Sequence, residues 1–255
     1  MIKNRKILIV NGIDAENFLQ RLLTNDIRKI DNKLQYNLLL SPQGKLLHDI
    51  FILKVAEEYW LDCHDKAIED IVEIFTKYRL GSKVEFSIKD GIYVNNSPNG
   101  YPDPRHEKLQ YRDYSDASIH EKDNYDMYYE LSLARLYIDF ESGKYFPFEV
   151  GFDKFNAISY TKGCYVGQEV ITRTHHRGVI RKKIYKITSD RNLTPNSNIL
   201  IDNKKIGIIL GIYGEGKALA LLNSELVTDN LTLSDGSLIK IIPAKNRNLS
   251  ELIKF

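Results

Sequence analysis

Cysteine is scarce in this chain: two cysteines, Cys63 and Cys164, stand far apart among 255 residues. They are too few for a disulfide-stapled scaffold, and this usage fits a reducing compartment better than a secreted protein. It also excludes an iron-sulfur centre whose four cysteine ligands all come from this chain. We therefore predict a cytoplasmic protein in which a cysteine contributes at most one ligand to a shared or transient cluster.

Long apolar runs are missing as well. The first run, Ile7 to Val10, ends at Asn11 and is too short for the core of a signal peptide. Charged residues interrupt every later stretch before it reaches the ~20 apolar residues that a spanning helix needs. We expect no membrane partner.

Neither sign of charge dominates, because 36 basic and 34 acidic side chains leave a formal charge of +2. No global field draws the chain to nucleic acid, so any RNA contact must come from a local patch. The most basic stretch, 173–186, could touch nucleic acid or an acidic partner, and it includes Arg177, Arg181, Lys182 and Lys183. A solvated strand face is the alternative interpretation of this stretch.

Nucleotide-binding loops are also absent, since the sequence has neither a GxGxxG nor a P-loop lysine motif. What remains is an ordinary globular composition, with 43% hydrophobic and 27% charged residues. The length suffices for one large domain or two domains of common size.

The hydrophobic pattern predicts an α+β fold with antiparallel sheets, because strands and helices alternate without a regular βαβ order. We expect a helix capped by Asp14, a hairpin turn at 41–44, and a helix from about 65 to 80 that Gly81 ends. Three prolines predict a loop over 95–107, followed by a helix over 125–136.

From residue 179 onward, short apolar strands alternate with turn residues, which is typical of a small β-barrel or sandwich. We therefore predict two domains, 1–178 and 179–255.

One segment has residue types that packing alone explains poorly: KGCYVGQE, from Lys162 to Glu169. The two glycines beside Cys164 imply a tight backbone with positive φ. A helix starting just after the cysteine, together with Lys162, would favour the thiolate and so a reactive or metal-binding sulfur. A small buried cysteine at a turn is the alternative. Glu169 and Arg173 have helical ion-pair spacing, worth only about 0.3–0.5 kcal/mol when exposed.

This segment, with Arg173, resembles the signature of the YgfZ family of folate-binding proteins, which are related to the glycine-cleavage T-protein, an aminomethyltransferase. The wider stretch 158–183 is most similar to the mitochondrial-type members, the iron-sulfur cluster assembly factors. Residues 12–26, the hairpin 41–45 and the element Pro147-Phe148-Glu149 also resemble the family, so the resemblance spans nearly the whole chain.

The resemblance implies a T-protein-like fold, with mixed α/β modules around a central pocket and a C-terminal β-barrel. It also implies an accessory factor, and not a turnover enzyme, that binds tetrahydrofolate and helps to assemble or repair [4Fe-4S] proteins, including radical enzymes that modify tRNA. Its partners would be iron-sulfur assembly proteins and [4Fe-4S] client enzymes. Cys164 matches the functional cysteine, as a catalytic or redox thiolate and a candidate cluster ligand. The residues that shape its surroundings are Lys162, Gly163, Tyr165, Gly167, Gln168, Glu169 and Arg173.

The resemblance also suggests the folate contacts. Glu149 stands where the family has a pterin-facing acid, and a carboxylate can accept two adjacent pterin N–H groups. Tyr36 would stack or hydrogen-bond nearby, and a surface Glu and a core Tyr are the structural alternatives. The transferase carries an acidic pair in the hairpin, of which this chain keeps Asp49 and replaces the other acid by His48.

Two other functions stay open on these residues. A folate-dependent aminomethyl or one-carbon transferase would require Asp49 beside the folate. A direct tRNA-binding protein would use the basic stretch and bind tRNA with strong salt dependence. Tyr137 is a further departure, since it stands where many relatives have Gly.

Overall fold

The computed structural model describes residues 2–119, 125–228 and 231–242. The chain divides into two compact units, one of residues 1–124 with 153–173 and one of residues 125–152 with 174–255. The predicted domains, 1–178 and 179–255, remain a prediction.

The first unit is built on a five-stranded antiparallel sheet in the order β2-β3-β4-β1-β5. Its strands are β1 (Arg5–Asn11), β2 (Gln35–Leu40), β3 (Leu46–Val55), β4 (Glu58–His64) and β5 (Glu85–Lys89). The predicted hairpin joins β2 to β3: Ser41 N–H donates to Lys45 O at 2.9 Å, and Gly44 has a φ of +80°.

Two helices, α1 (Ala15–Leu22) and α2 (Ile68–Arg79), meet β5 in a cluster of phenylalanines. The ring of Phe18 lies 5.3 Å from that of Phe75 and 5.7 Å from that of Phe86. Phe18 and Phe75 are fully buried, and each such burial contributes about 1.5–3 kcal/mol.

The ends of both helices differ from the sequence expectation. The Asp14 carboxylate does not cap α1 but accepts the backbone N–H of Lys83 at 2.7 Å. After α2, the left-handed residue is Leu80, with φ +47° and ψ −117°, while Gly81 has an ordinary φ. The helix therefore ends one residue earlier than Gly81 suggested.

The prediction of a loop over 95–107 is wrong in its first half, because β6 (Tyr93–Tyr101) pairs with β7 (Arg112–Ser115). The pairing register shifts between Asn96 and Tyr101, and this irregularity lets Pro98 stand inside a strand.

The second unit contains a closed antiparallel barrel in the order β10-β11-β8-β13-β12-β9. Its strands in the described residues are β8 (Lys182–Thr188), β9 (Asn198–Ile201), β10 (Lys204–Gly214), β11 (Lys217–Asn223), β12 (Leu231–Leu233) and β13 (Leu238–Ile242). Aliphatic side chains, including Ile187, Ile199 and Leu222, fill its core. The predicted barrel is confirmed.

Helix α3 (Tyr125–Glu130) precedes the barrel in sequence and stops six residues before its predicted end. Ser132 has a φ of +54°, which breaks the helix. Tyr137, at the position where relatives have Gly, also has a positive φ of +68°. The turn is held by a hydrogen bond from Tyr137 N–H to Phe140 O and by the buried Asp139, which accepts Arg135 N–H at 2.7 Å. The last helix, α4 (Gln168–Arg177), contributes residues to both units.

Candidate functional site

The loop that carries Cys164, residues 162–167, packs within the first unit against the end of α1 and against the β2–β3 turn. Val166 N–H donates to Arg21 O at 3.1 Å. Gly167 has a φ of +81°, and a Cβ added there would lie 2.7 Å from Ser41 O. Only glycine fits this position. Gly163, by contrast, has an ordinary φ and open space around it, so one glycine of the motif is required and the other is not.

The buried side chain of Lys162 anchors the loop to the end of α1. Its ammonium donates three hydrogen bonds to backbone carbonyls at the end of α1: to Gln20 O and Leu23 O at 2.7 Å and to Asn25 O at 2.8 Å. Gln20 lies in the last turn of α1, whose carbonyls have no partner within the helix, and Leu23 and Asn25 follow the helix directly. Burial lowers the pKa of Lys162 to about 8. The sequence suggested that this charge acts on the sulfur of Cys164, whereas in the structure its donors are used by carbonyls, so Lys162 positions the loop.

The two cysteines have opposite surroundings. Cys164 is an exposed free thiol between the buried side chains of Lys162 and Tyr165. Cys63 is fully buried in β4, where its Sγ donates weakly to Leu61 O at 3.4 Å, and burial raises its thiol pKa. Only Cys164 can therefore meet a partner without a rearrangement of the fold.

Helix α4 does not begin directly at the cysteine. It starts at Gln168, four residues later, after a turn in which Gln168 N–H donates to Tyr165 O at 3.2 Å. Glu169 and Arg173 are both exposed, and within the described structure they form no ion pair. The expected helical pair therefore does not help to hold the loop.

Packing fixes the start of α4 instead. A Cβ on Gly44, in the β2–β3 turn, would come within 2.8 Å of the Val170 side chain, and Ile171 is buried. Among the described residues, no three His, Cys, Asp or Glu side chains converge as a metal site. Any cluster bound through Cys164 needs ligands from elsewhere.

Two of the predicted folate contacts lie next to each other inside the first unit. Tyr36 on β2 donates its hydroxyl to Asp49 Oδ2 on β3 at 3.1 Å. Both are buried, with 1% of Tyr36 and 9% of Asp49 exposed. Phe51 lies 4.7 Å from the Tyr36 ring, and the Arg105 guanidinium lies 5.5 Å from the same ring. Burial, together with the charge of Asp49, raises the pKa of Tyr36.

A cluster of buried arginines, which the sequence did not indicate, packs against the rings of Tyr36 and Phe51. Arg105 is paired through two nitrogens with Asp103 at 2.7 and 2.9 Å. Burial alone would raise the pKa of Asp103, but the Arg105 and Arg112 charges outweigh it and hold that pKa below its usual value.

Asp62 completes the cluster. Its Oδ1 accepts a hydrogen bond from Arg5 Nε at 2.6 Å, and its Oδ2 accepts one from Arg112 Nη1 at 2.8 Å. The guanidinium of Arg112 lies 3.6 Å from the centre of the Phe51 ring, and that of Arg105 lies 4.8 Å from it. Each contact is a cation–π interaction in a desolvated setting, worth about 2 kcal/mol. The Phe51 ring is therefore in contact with two cationic side chains of the protein itself.

The surroundings of Tyr36, Asp49 and Glu149 determine which of these residues a folate can contact. A pterin can reach the Tyr36 ring only if Arg105 leaves it, and Asp49, at 9% exposure, is buried beside that ring. Tyr36 and Asp49 therefore do not fit as folate contacts. Glu149 does fit in part: its carboxylate is half-buried, and its Oε2 accepts Phe146 N–H at 2.9 Å in the turn that holds it. Such a fixed carboxylate has the acceptor chemistry that a pterin edge requires.

The comparisons with known proteins agree with this architecture. Residues 3–91 match the family described as "GCVT N-terminal domain". The solved structure of the glycine cleavage system aminomethyltransferase T from Bartonella henselae superposes with a TM-score of 0.73 at 12% sequence identity, over 95% of this chain and 84% of that chain. This likeness shows the fold, and the predicted T-protein-like α+β fold is confirmed.

Curated relatives match over most of the chain. The protein named "Iron-sulfur cluster assembly factor IBA57 homolog, mitochondrial" from Mycosarcoma maydis is 26% identical over 73% of this chain and 56% of its own length. The one named "Iron-sulfur cluster assembly factor IBA57, mitochondrial" from Homo sapiens is 25% identical over 94% of this chain and 82% of its own length. The chain spans about half the length of the first fungal relatives, with 56, 55 and 52% covered.

The prediction of a cytoplasmic protein is wrong, because these relatives are named as mitochondrial proteins. Cysteine usage does not separate two reducing compartments from each other. Among the helices of the described residues, none is long and apolar enough to cross a membrane. Residues 3–91 thus match the GCVT N-terminal domain, the chain has a T-protein fold, and its curated relatives are named as IBA57-type iron-sulfur cluster assembly factors.

Proposed function

We propose that this chain is an accessory factor in the assembly or repair of [4Fe-4S] proteins and that Cys164 is the residue through which it acts. The observation that carries the proposal is the exposed Cys164 thiol on a loop fixed by the buried Lys162. The names of the relatives support the same role.

The number of accessible thiols determines whether this chain can bind a cluster without a partner. Cys63 is buried, so this chain offers one cysteine where a [4Fe-4S] cluster takes four ligands. The exposed Cys164 releases its proton to solvent, and its thiolate sulfur binds one iron of a cluster whose other ligands belong to a partner. The partner is an iron-sulfur assembly protein or a [4Fe-4S] client enzyme, and radical enzymes that modify tRNA are among the proposed clients. The cluster is cargo, shared or transient.

Tetrahydrofolate is the second part of the proposal. The T-protein fold and the half-buried carboxylate of Glu149 support it. The proposal does not use Tyr36 or Asp49, since both are buried and Arg105 lies against the Tyr36 ring. No observation favours a one-carbon transferase, because the acid it requires, Asp49, is buried at 9% exposure.

The role is tested in a strain that lacks this protein, by the activities of its [4Fe-4S] enzymes under aerobic and anaerobic conditions. We expect some of these activities to fall while enzymes without clusters keep theirs. Unchanged activity of every [4Fe-4S] enzyme would refute the proposed function.

A further inference from the structure

A cleft of about 530 Å³ opens in the first unit beside the end of α1. Asn17 and Arg21 from α1 line it, together with Arg28 from the turn that follows and with Leu80 and Ser82 from the segment after α2. None of these side chains takes part in the buried arginine cluster, so the cleft is a separate feature.

Two guanidiniums make the cleft positively charged. Arg21 Nη2 donates to the Ser82 hydroxyl at 3.1 Å, and Arg28 Nη2 donates to Asn17 Oδ1 at 2.8 Å, so neutral oxygens hold both groups. Arg28 Nε also lies 3.7 Å from Glu16 Oε1, in an exposed ion pair that is too long for a hydrogen bond. Guanidiniums held in this way keep further N–H groups for a carboxylate.

One acid, Asp14, lies in the lining itself. Its Oδ2 already accepts Lys83 N–H at 2.7 Å, so the carboxylate is tied to the backbone and pairs with neither arginine. The lining therefore carries the two positive charges of Arg21 and Arg28 against the single negative charge of Asp14.

One exposed apolar side chain, that of Leu80, lines this cleft, and another, that of Ile13, belongs to the residue before the lining residue Asp14. Leu80 is 88% exposed, and Ile13, directly before Asp14, is 85% exposed. Leu80 also has φ +47° and ψ −117°, a conformation that costs a non-glycine residue about 1–3 kcal/mol. An exposed leucine in such a conformation buries little apolar surface to offset the strain, and its side chain is available to a partner.

The cleft and the Cys164 loop rest on the same residues of α1. The side chain of Arg21 lines the cleft while its carbonyl accepts Val166 N–H. Gln20 also lines the cleft, and its carbonyl accepts a hydrogen bond from the ammonium of Lys162. A segment bound in the cleft would therefore lie close to the loop that presents the thiol.

We infer that this cleft docks an acidic segment of the protein partner that receives or supplies the cluster, with a side-chain carboxylate between Arg21 and Arg28 and apolar neighbours against Leu80 and Ile13. The inference rests on the proposed function, since it names the chemistry of the partner at the same site. A basic segment would be repelled by the two guanidiniums, and a small anion would leave the apolar edge unused.

Charge reversal tests the guanidiniums. The full-length double variant Arg21→Glu/Arg28→Glu is expressed in the deletion strain, and [4Fe-4S] enzyme activity is measured at equal protein abundance. We expect at least a tenfold loss of the restored activity, with an unchanged melting temperature and Cys164 alkylation rate. The control Lys204→Glu/Lys205→Glu makes the same charge change on exposed barrel residues and should restore activity. Full restoration by the cleft variant would overturn the inference.

Leu80 offers a test in which stability and function move in opposite directions. Leu80→Gly removes the strain, so its melting temperature should rise by roughly 2–4 °C, while the restored activity falls. The control Leu238→Thr removes another exposed leucine, 67% exposed on β13, and should keep full activity. A Leu80→Gly protein with full activity would contradict the docking role.

The partner's chemistry is read by photo-cross-linking from benzoylphenylalanine at position 80 in the same cells. The inference requires cross-linked peptides with Asp or Glu between apolar residues, from an iron-sulfur assembly or client protein. Cross-links confined to basic or uncharged segments, or none, would overturn it. Cys164→Ser in the same strain keeps the two claims apart: if it fails while the cleft variant restores activity, only the docking surface is wrong, and if it restores activity, the proposed function is wrong.

Discussion

The ammonium of Lys162 lies 2.7 Å from the carbonyl oxygen of Leu23, which is 139 residues earlier in the chain. With its bonds to Gln20 and Asn25, this contact joins the cysteine loop to the end of α1. The loop that presents Cys164 is thus built on a buried cation, and several of its measurable properties follow from that anchor.

Replacing Lys162 by Met should lower the free energy of unfolding by about 2–3 kcal/mol, because three charge-assisted hydrogen bonds to buried carbonyls are lost. Chemical denaturation measures this loss. Lys29→Met is the control: Lys29 is 68% exposed, and its removal should change stability by less than about 0.5 kcal/mol. Equal effects of the two substitutions would show that Lys162 is not an anchor.

The glycines of the motif should respond differently to alanine. At Gly167, with φ +81° and Ser41 O in the path of a Cβ, we expect Gly167→Ala to cost more than about 1 kcal/mol. Gly163→Ala meets open space at an ordinary φ, and should be neutral or slightly stabilising. Thermal unfolding of both variants makes the comparison. A Gly163→Ala protein as unstable as Gly167→Ala would contradict the described loop geometry.

His48 predicts how stability depends on pH. It is 1% exposed and donates from Nε2 to Asp70 at 2.7 Å, and burial lowers its pKa below the ordinary 6.5 despite that carboxylate. The unfolded chain therefore binds a proton that the folded chain does not, and stability falls as the pH drops below about 6.5, by up to about 1.4 kcal/mol per pH unit.

His48→Gln, which cannot take up this proton, should have a shallower loss of stability between pH 7 and pH 5. Denaturation at several pH values checks the slope. An identical slope in the variant and the wild-type protein would place the titration elsewhere, for example on His64, whose pKa burial also lowers.

Sequence patterns predicted the structural elements that depend on residues close together in the chain. The hairpin at 41–44 follows from its turn residues, and the barrel from short strands separated by turns. Both depend on contacts that are local along the chain. The motif also directed attention to the one exposed cysteine.

Contacts between distant parts of the chain were not predictable in this way. Asp14 is a residue type that commonly caps helices, but its carboxylate accepts a hydrogen bond from the backbone N–H of Lys83 instead. The sequence marks Gly81 as the end of α2, yet the approach of this segment to residues 12–14 leaves the left-handed turn on Leu80. Arg5 and Arg112 meet at Asp62 from separate strands, and no spacing in the sequence signals that they do.

Folate binding has its own test in titration calorimetry with tetrahydrofolate. Glu149→Gln keeps the volume but removes the charge, so it should weaken binding by about 1–3 kcal/mol. Tyr36→Phe should leave the affinity unchanged, because this ring is enclosed by Phe51 and Arg105. A loss of affinity in Tyr36→Phe alone would show that the arginine cluster opens to admit the ligand.

The most direct test of the central claim is the [4Fe-4S] enzyme activity restored by Cys164→Ser in the deletion strain, at an abundance equal to that of the wild-type protein. The substitution changes one exposed atom, so the protein should fold normally while restoring less than about a tenth of the activity. Cys63→Ala, which removes the buried thiol, should restore it. Full restoration by Cys164→Ser would contradict the account, since the exposed sulfur would then have no part in cluster assembly.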